Sequence, residues 1–458
     1  MADDSARYPD GPPRRILIVG GGYVGLYTAL RLQRKLRPDE AVVTVVDPRP
    51  YMTYQPFLPE AAAGSIQPRH TVVPLRKTLR RTTIVSAWVT KIDHARRTAW
   101  LKPLQGDPQQ VDYDILVIAV GSVPRTLPIA GLAENGIGFK NVEEAIALRN
   151  RVIECLDIAE TATDPLVREC NTTFVFVGGG YAGVEALGEI EDLARYATRF
   201  YRNVSAADLR FVLVEASDRI LPEVGPDMGR YALAQLRARG IDVRLGTRLE
   251  SAVDREIVLS DGQRVHSDTL VWTAGVKPNP MLADTDLPLD ARGRVRCTAD
   301  LRVDGISDAF GAGDCCAVPD LTKPGEFCSP SAQHAVRQAT VLADNIISSM
   351  RGFPSRDYEH RYAGSVASLG LYKGVAQVYG IKLKGFPAWF AHRTYHMSRV
   401  PTLQRKVAVV LDWTIALLFQ RDVTSLWPMH EPGKSFTDAA RTASPGTGSP
   451  RGGDGGRG

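Results

Sequence analysis

Two stretches of the chain carry the same hydrophobic and polar pattern. "ILIVGGGYVGLYTAL" (residues 16–30) and "FVFVGGGYAGVEAL" (residues 174–187) each set four consecutive apolar residues before three glycines, followed by apolar residues at helical spacing. Each continues to a second apolar run that ends on an acid, "AVVTVVD" at Asp47 and "LRFVLVE" at Glu215. Strand, glycine turn, helix, strand is a βαβ unit, so the pattern predicts two parallel sheets and an α/β fold. A second matched pair, "YDILVIAVGSVPR" and "DTLVWTAGVKPN", reads as a buried strand reaching Gly121 or Gly275, at the end of each sheet where the chain crosses near a ligand. The strand-like "DAFGAGDC" follows. "SPSAQHAVRQATVLADNI" then reads as a helix with Ser329 as N-cap and Pro330 in its first turn. Short strands are expected from Tyr358 to Gly385, and helices rich in aromatic and basic residues from Trp389 to Phe419.

The chain has 458 residues, enough for two or three domains, and 44% hydrophobic content, enough for substantial cores. The opening "MADDSARYPDGPPRR" has acids and three prolines where a secretory signal needs a basic start and an apolar run, so export is not expected. No segment approaches the roughly 18 uncharged apolar residues of a spanning helix. Six cysteines without a CxxC pair point to a reducing compartment and away from disulfide frameworks and zinc modules, and adjacent Cys315 and Cys316 read as small residues filling space. The net charge of +5 is unevenly placed: Gly380 to Ser425 holds seven basic residues against two acids, a surface for anionic lipid, nucleic acid or simply water. His392 and His396 have the i, i+4 spacing of a metal pair, but with no third ligand motif nearby they read as solvated or lipid-facing, and no metal is expected.

The glycines fall as G-x-G-x-x-G in both units, Gly20, Gly22 and Gly25, then Gly178, Gly180 and Gly183. The first allows a tight turn, the second lets a pyrophosphate approach backbone, and the third lets helix pack on strand. With Asp47 and Glu215 placed to hold ribose diols, the chain reads as binding two dinucleotides at once. The chemistry that needs two is hydride transfer from a nicotinamide to a flavin. A carboxylate at Glu215 repels a 2′-phosphate, so NADH is preferred over NADPH, with Arg219 nearby as the residue that weakens this preference. The glycines do not tell which unit takes which nucleotide.

From about Arg15 to Asn345 the chain resembles the two-dinucleotide-binding-domain flavoproteins and, within them, the type II NADH dehydrogenases, which are non-proton-pumping NADH:quinone oxidoreductases. "FGAGDC" is similar to the family's second flavin motif, "PYMTYQPFLPEAAAG" (residues 50–64) to its aromatic and proline segment beside the flavin, and "PSAQHAVRQA" to its A-Q-x-A-x-x-Q helix near flavin and quinone. The resemblance implies FAD in the first unit and NADH in the second. It places Asp314 on the ribityl chain, Arg49, Ala332 and Gln333 among the cofactor contacts, and Gln333 and Gln338 at the acceptor side. "GVEALGE" makes Glu185 a nicotinamide-side contact and Glu189 a candidate proton relay, with an ordinary exposed helix residue as the alternative. The N-terminus of the acceptor helix is expected to stabilise negative charge on the flavin.

The implied architecture is two Rossmann-like domains of the glutathione-reductase type plus a C-terminal α+β region with amphipathic helices. The expected boundaries are a disordered 1–13, FAD-binding 14–132 and 286–352 around NADH-binding 133–285, a membrane-association or dimerisation region 353–437, and a disordered tail 438–458. The implied partners are a quinone (menaquinone or ubiquinone) as acceptor, an anionic membrane in peripheral contact and a second copy as homodimer, with no nucleic acid, in the cytoplasm or peripheral on the inner face of the cell membrane. Disulfide reductases need a CxxxxC pair, and residues 48–80 contain no cysteine. Cys328 beside the acceptor helix keeps sulfide:quinone reduction as a minor alternative. A soluble carrier such as a ferredoxin as acceptor, or a non-enzymatic NADH-sensing flavoprotein, are the competing functions. The sequence departs from the family at Ala339, where a glycine is common, and more strongly at "AHRTYHMSRVPTLQRK", basic and polar where the family is apolar; only "VAVVLDWTIALLF" keeps that character, too short to span a bilayer but long enough to lie in its interface.

Overall fold

The computed structural model describes residues 12–360 and 364–425, so the expectations for most of 1–13 and for the tail 438–458 lie outside the described residues. Both expected sheets form, and they share the order of four strands; the fifth, at the edge, comes last in sequence in the first sheet and first in the second. In the first, the strand order is Ala309–Gly311, Ile115–Ile118, Arg14–Val19, Ala41–Val46, Thr83–Val85, all parallel. In the second it is Gly136–Gly138, Thr269–Trp272, Thr173–Val177, Arg210–Val214, Asp242–Arg244, again all parallel. The four residues before each glycine cluster are buried, as continuous apolar runs in a parallel sheet covered on both faces must be.

Each sheet carries an antiparallel three-stranded meander, Ala87–Asp93 with Thr98–Pro103 and Gln109–Asp112 on the first, and Leu249–Val253 with Glu256–Leu259 and Arg264–His266 on the second. The short strands Ser122–Pro124 and Val276–Pro278, just past Gly121 and Gly275, pair with each other. The crossings that leave the two sheets are therefore tied together. After the second sheet the chain returns, and Ala309–Gly311 extends the first sheet beside Ile115–Ile118. The helix Ala332–Met350 then packs along Tyr23–Lys35, with Arg31 Nε 2.6 Å from Asp344 Oδ1.

The acceptor-side helix starts two residues later than expected. Ser331, not Ser329, is its cap: its backbone is extended and its Oγ accepts from His334 N at 3.2 Å, the third residue of the helix. Beyond it an antiparallel sheet, Gly364–Ser368, Gly374–Val378 and Ile381–Lys384, leads to helices Phe386–Arg399 and Leu403–Phe419, in the segments where strands and helices were expected. Among the described residues no helix is long and apolar enough to cross a membrane.

Candidate active site

The two glycine clusters have the same geometry. Gly20 and Gly178 hold φ of +105° and +115°, a region that L side chains avoid. A Cβ on Gly25 would lie 1.8 Å from Gly20 O, and one on Gly183 would lie 1.9 Å from Gly178 O, so helix and strand approach as only glycine permits. Nothing lies within 4 Å of a Cβ on Gly22 or Gly180. These two glycines begin their helices without any side-chain cap, so the first-turn amides face open ground. That is the arrangement a pyrophosphate needs.

The closing acids are anchored alike. Asp47 accepts from Gly21 N (2.7 Å) and Arg49 N (2.8 Å), while Glu215 accepts from Gly179 N (2.5 Å) and Ser217 N (2.7 Å). Burial raises the Asp47 carboxyl above its usual range, and the amide hydrogen bonds partly offset this. The Arg49 guanidinium donates to Asn141 Oδ1 (2.6 Å). Gly121 and Gly275 have positive φ, with open space where a Cβ would be. The residues present therefore fit a dinucleotide in each unit.

Asp314 sits at the end of the Ala309–Gly311 strand and accepts from Ser122 Oγ (2.6 Å), which in turn accepts from Lys140 Nζ (2.5 Å). Burial lowers the Lys140 ammonium from its usual range, against the raising effect of Asp314. Neither Ser122 nor Lys140 was foreseen. A readable signal existed for Lys140: Asn141 and Glu144 form a capping box, which fixes the helix Val142–Thr161 and places Lys140 just outside it. Gln338 is buried and accepts from Gly313 N (2.8 Å), pinning the loop that carries Asp314. Ala332 is the first residue of its helix, and Gln333 donates to Gly364 O (3.2 Å).

The C-terminal helices close on this body through buried charges. Glu185 accepts from Ser368 N (2.9 Å) and lies 3.0 Å from His392 Nε2, and burial lifts its carboxyl to about 7. Glu189, 1% exposed, is held by Arg421, whose Nη2 donates to its carboxylate at 2.7 Å and Nη1 to its backbone carbonyl at 3.0 Å. Glu189 is thus not an exposed helix residue. Glu60 sits 2.9 Å from Arg393 Nη2 and accepts from Trp413 Nε1 (2.6 Å), and the Arg393 guanidinium lies 4.2 Å and 5.0 Å from the ring centres of Trp389 and Trp413.

His392 corrects the sequence reading. It is 2% exposed, facing Glu185 instead of solvent or lipid, because the first turns of its helix pack on the Gly364–Ser368 hairpin and bring it over the second glycine-rich helix. Two of the seven basic residues of this region, Arg393 and Arg421, are likewise buried, each against a carboxylate. A single sequence cannot show which charges have partners about 200 or more positions away. All six cysteines are buried thiols, with Cys315 Sγ 3.7 Å from Cys316 Sγ. Among the described residues no cluster of His, Cys, Asp and Glu has the makings of a metal site.

A cavity of about 810 Å³ opens between the C-terminal helices and the end of Tyr181–Ala197, lined by Trp389, Phe390, Trp413 and Leu417 and by Arg393 and Arg421.

The family described as pyridine nucleotide-disulphide oxidoreductase matches residues 14–339. A type II NADH:quinone oxidoreductase of Mycobacterium tuberculosis is 30% identical over 428 residues, 90% of each chain. The chain belongs to the type II NADH:quinone oxidoreductase family. A probable NADH dehydrogenase of Dictyostelium discoideum is 29% identical over 421 residues, covering 90% of this chain and 91% of that one. A family member from Staphylococcus epidermidis is 31% identical over 384 residues, covering 82% and 92%. The solved structure of NDH2 from Plasmodium falciparum in complex with NADH superposes with a TM-score of 0.82 at 18% identity, covering 90% of this chain and 99% of that one.

Proposed function

We propose that the chain is an FAD-dependent NADH:quinone oxidoreductase. The observation that carries this is the duplicated cleft: two glycine-rich helix N-termini left open, each with an anchored carboxylate, in one chain of this family. When bound, FAD supplies a carrier that accepts a hydride from NADH and gives two electrons to a quinone.

The chain's own residues bind and orient. The amides after Gly22 and Gly180 receive phosphates, and Asp47 and Glu215 receive ribose hydroxyls. Glu215 keeps a 2′-phosphate out. Asp314, fixed by Ser122 and Lys140, receives the polyol of the flavin nucleotide, and Gln338 acts by holding Gly313 beside it. The helix N-terminus at Ala332 offers its positive dipole end to a carbonyl-rich ring edge, with Gln333 on the acceptor side.

A lipid-dissolved acceptor is favoured over a soluble carrier by the helix Leu403–Phe419. Leu403, Val407, Leu411, Ile415, Leu418 and Phe419 are all more than half exposed on it, beside Phe386 and Phe390 of the preceding helix. An apolar face of this size with Arg405 and Lys406 at its start fits a helix lying in a membrane interface. The test is an anaerobic mixture of the protein with NADH, followed by a pulse of a menaquinone analogue. Bleaching of the flavin by NADH and rapid return of the oxidised spectrum are expected; a spectrum that stays reduced overturns the reading.

A further inference from the structure

We infer that His392 and His396 form a two-imidazole proton relay that joins Glu185, on the second glycine-rich helix, to Tyr54, in the segment beside the first. The inference rests on the quinone-reduction reading. Reduction of a quinone by NADH consumes one proton beyond the hydride, so a buried acceptor needs a path for it from solvent.

The groups lie in a row, each within a few ångström of the next. Glu185 Oε1 is 3.0 Å from His392 Nε2, the rings of His392 and His396 are 4.6 Å apart between centres, and His396 Nδ1 is 3.5 Å from Tyr54 OH. Tyr54 donates to the His396 carbonyl at 3.1 Å, which fixes its hydroxyl against this helix turn. The Tyr54 ring is 6.1 Å from that of Tyr23, the first helical residue after Gly22. The line thus runs from one dinucleotide cleft to the other. A packing role would be filled at lower cost by an apolar ring, since buried imidazole nitrogens without well-formed hydrogen bonds cost about 1–3 kcal/mol; both nitrogens of His392 are such groups.

The surroundings poise the line for transfer. Facing the pair are Glu185 and Glu189 from the second glycine-rich helix, Tyr54 from the aromatic segment, and Arg393 and Tyr395 from their own helix. Burial lifts Glu185 to about 7 and depresses His392 to about 4 and His396 to about 3. Near neutral pH the mobile proton therefore rests on Glu185, and both rings are neutral acceptors. In one passage the Glu185 O–H bond breaks and an N–H bond forms on His392. His392 releases its other proton to His396, His396 releases one to the Tyr54 oxygen, and the Tyr54 proton goes to an oxygen of the quinone. Glu185 is then reprotonated from solvent. No electrons move along this line.

The experiment compares wild type with H392Q and H396Q, which keep polarity but cannot relay. It follows turnover with a menaquinone analogue and with ferricyanide, which takes electrons without protons. The expected result is at least a tenfold loss of quinone turnover, a raised solvent deuterium isotope effect, partial rescue by added imidazole, and ferricyanide turnover within about threefold of wild type. Histidine ¹⁵N shifts give a readout independent of turnover: both rings neutral at pH 6, with the His392 signal moving in E185Q. Quinone turnover of H392Q within twofold of wild type, or equal losses with both acceptors, would overturn the relay alone. Wild-type protein that reduces ferricyanide but no quinone would overturn the reaction on which the relay depends, and the relay with it.

Discussion

Arg421 Nη2 lies 2.7 Å from Glu189 Oε2, and both side chains are shut away from solvent. The pair ties the end of the C-terminal helical segment to the middle of the second glycine-rich helix, 232 positions earlier in the chain. Removing one partner strands a buried charge, which costs about 3–5 kcal/mol. R421A is therefore expected to lower the melting temperature sharply, whereas the double substitution E189Q with R421M, which leaves no charge, recovers most of the loss. Thermal unfolding of wild type and the two variants measures this. Equal melting temperatures for R421A and wild type would show that the pair contributes nothing.

The glycines of each cluster separate into two kinds. At Gly25 and Gly183 a Cβ would meet backbone carbonyl oxygens at 1.8 and 1.9 Å, so G25A and G183A must push helix from strand. Around Gly22 and Gly180 a Cβ meets nothing. G22A and G180A should leave the melting temperature of cofactor-free protein within about 1 °C of wild type while weakening one nucleotide each: FAD retention for G22A, NADH affinity for G180A. Flavin content after gel filtration and NADH titration distinguish them. Loss of NADH affinity in G22A with full flavin content would reverse the assignment of the two units.

Much of this arrangement was legible in the sequence because it is local. The runs before Gly20 and Gly178, the glycine spacing, and the acids Asp47 and Glu215 all lie within about 40 residues of one another in each unit, and backbone geometry dictates them. The helix cap was misplaced by two residues because Ser329 and Ser331 both have capping side chains, and only the backbone conformation after Pro330 chooses between them. His392, Arg393 and Arg421 were out of reach for a different reason. Their partners Glu185, Glu60 and Glu189 lie 207, 333 and 232 positions away, and a basic helix on a folded body looks the same in sequence as one facing water.

Glu215 decides between the two nicotinamide dinucleotides. Its Oε1 is held by Ser217 N (2.7 Å) and Ser217 Oγ (2.8 Å), so the carboxylate cannot swing away from an incoming 2′-phosphate. E215Q keeps the hydrogen-bond acceptor and removes the charge. The ratio of kcat/KM for NADH over NADPH should fall at least tenfold in E215Q, mainly through a lower KM for NADPH, with Arg219 two residues beyond Ser217 then free to meet the phosphate. Steady-state kinetics with both nucleotides check this, and an unchanged ratio would place the discrimination elsewhere.

The buried acid and the two imidazoles act on stability with opposite signs. Glu185 rises from 4.5 to about 7 through burial, so between those values the folded protein holds more protons than the unfolded chain and stability falls as pH rises. His392 and His396 fall from 6.5 to about 4 and about 3, also through burial, so over their window the unfolded chain holds more protons and stability rises with pH. From pH 4.5 to 6.5 two protons oppose one, and these three groups together make acid destabilising, by about 1.4 kcal/mol per pH unit. Removing both imidazoles with H392Q and H396Q leaves Glu185 alone and reverses the sign of this contribution. The double variant should therefore gain on wild type by about 4–5 kcal/mol as pH drops from 6.5 to 4.5. E185Q should do the reverse, gaining on wild type as pH rises from 4.5 to 7. Denaturant unfolding in a pH series reads both differences. A pH-independent offset between the double variant and wild type would mean that the rings titrate alike in the folded and unfolded states and are not buried against Glu185.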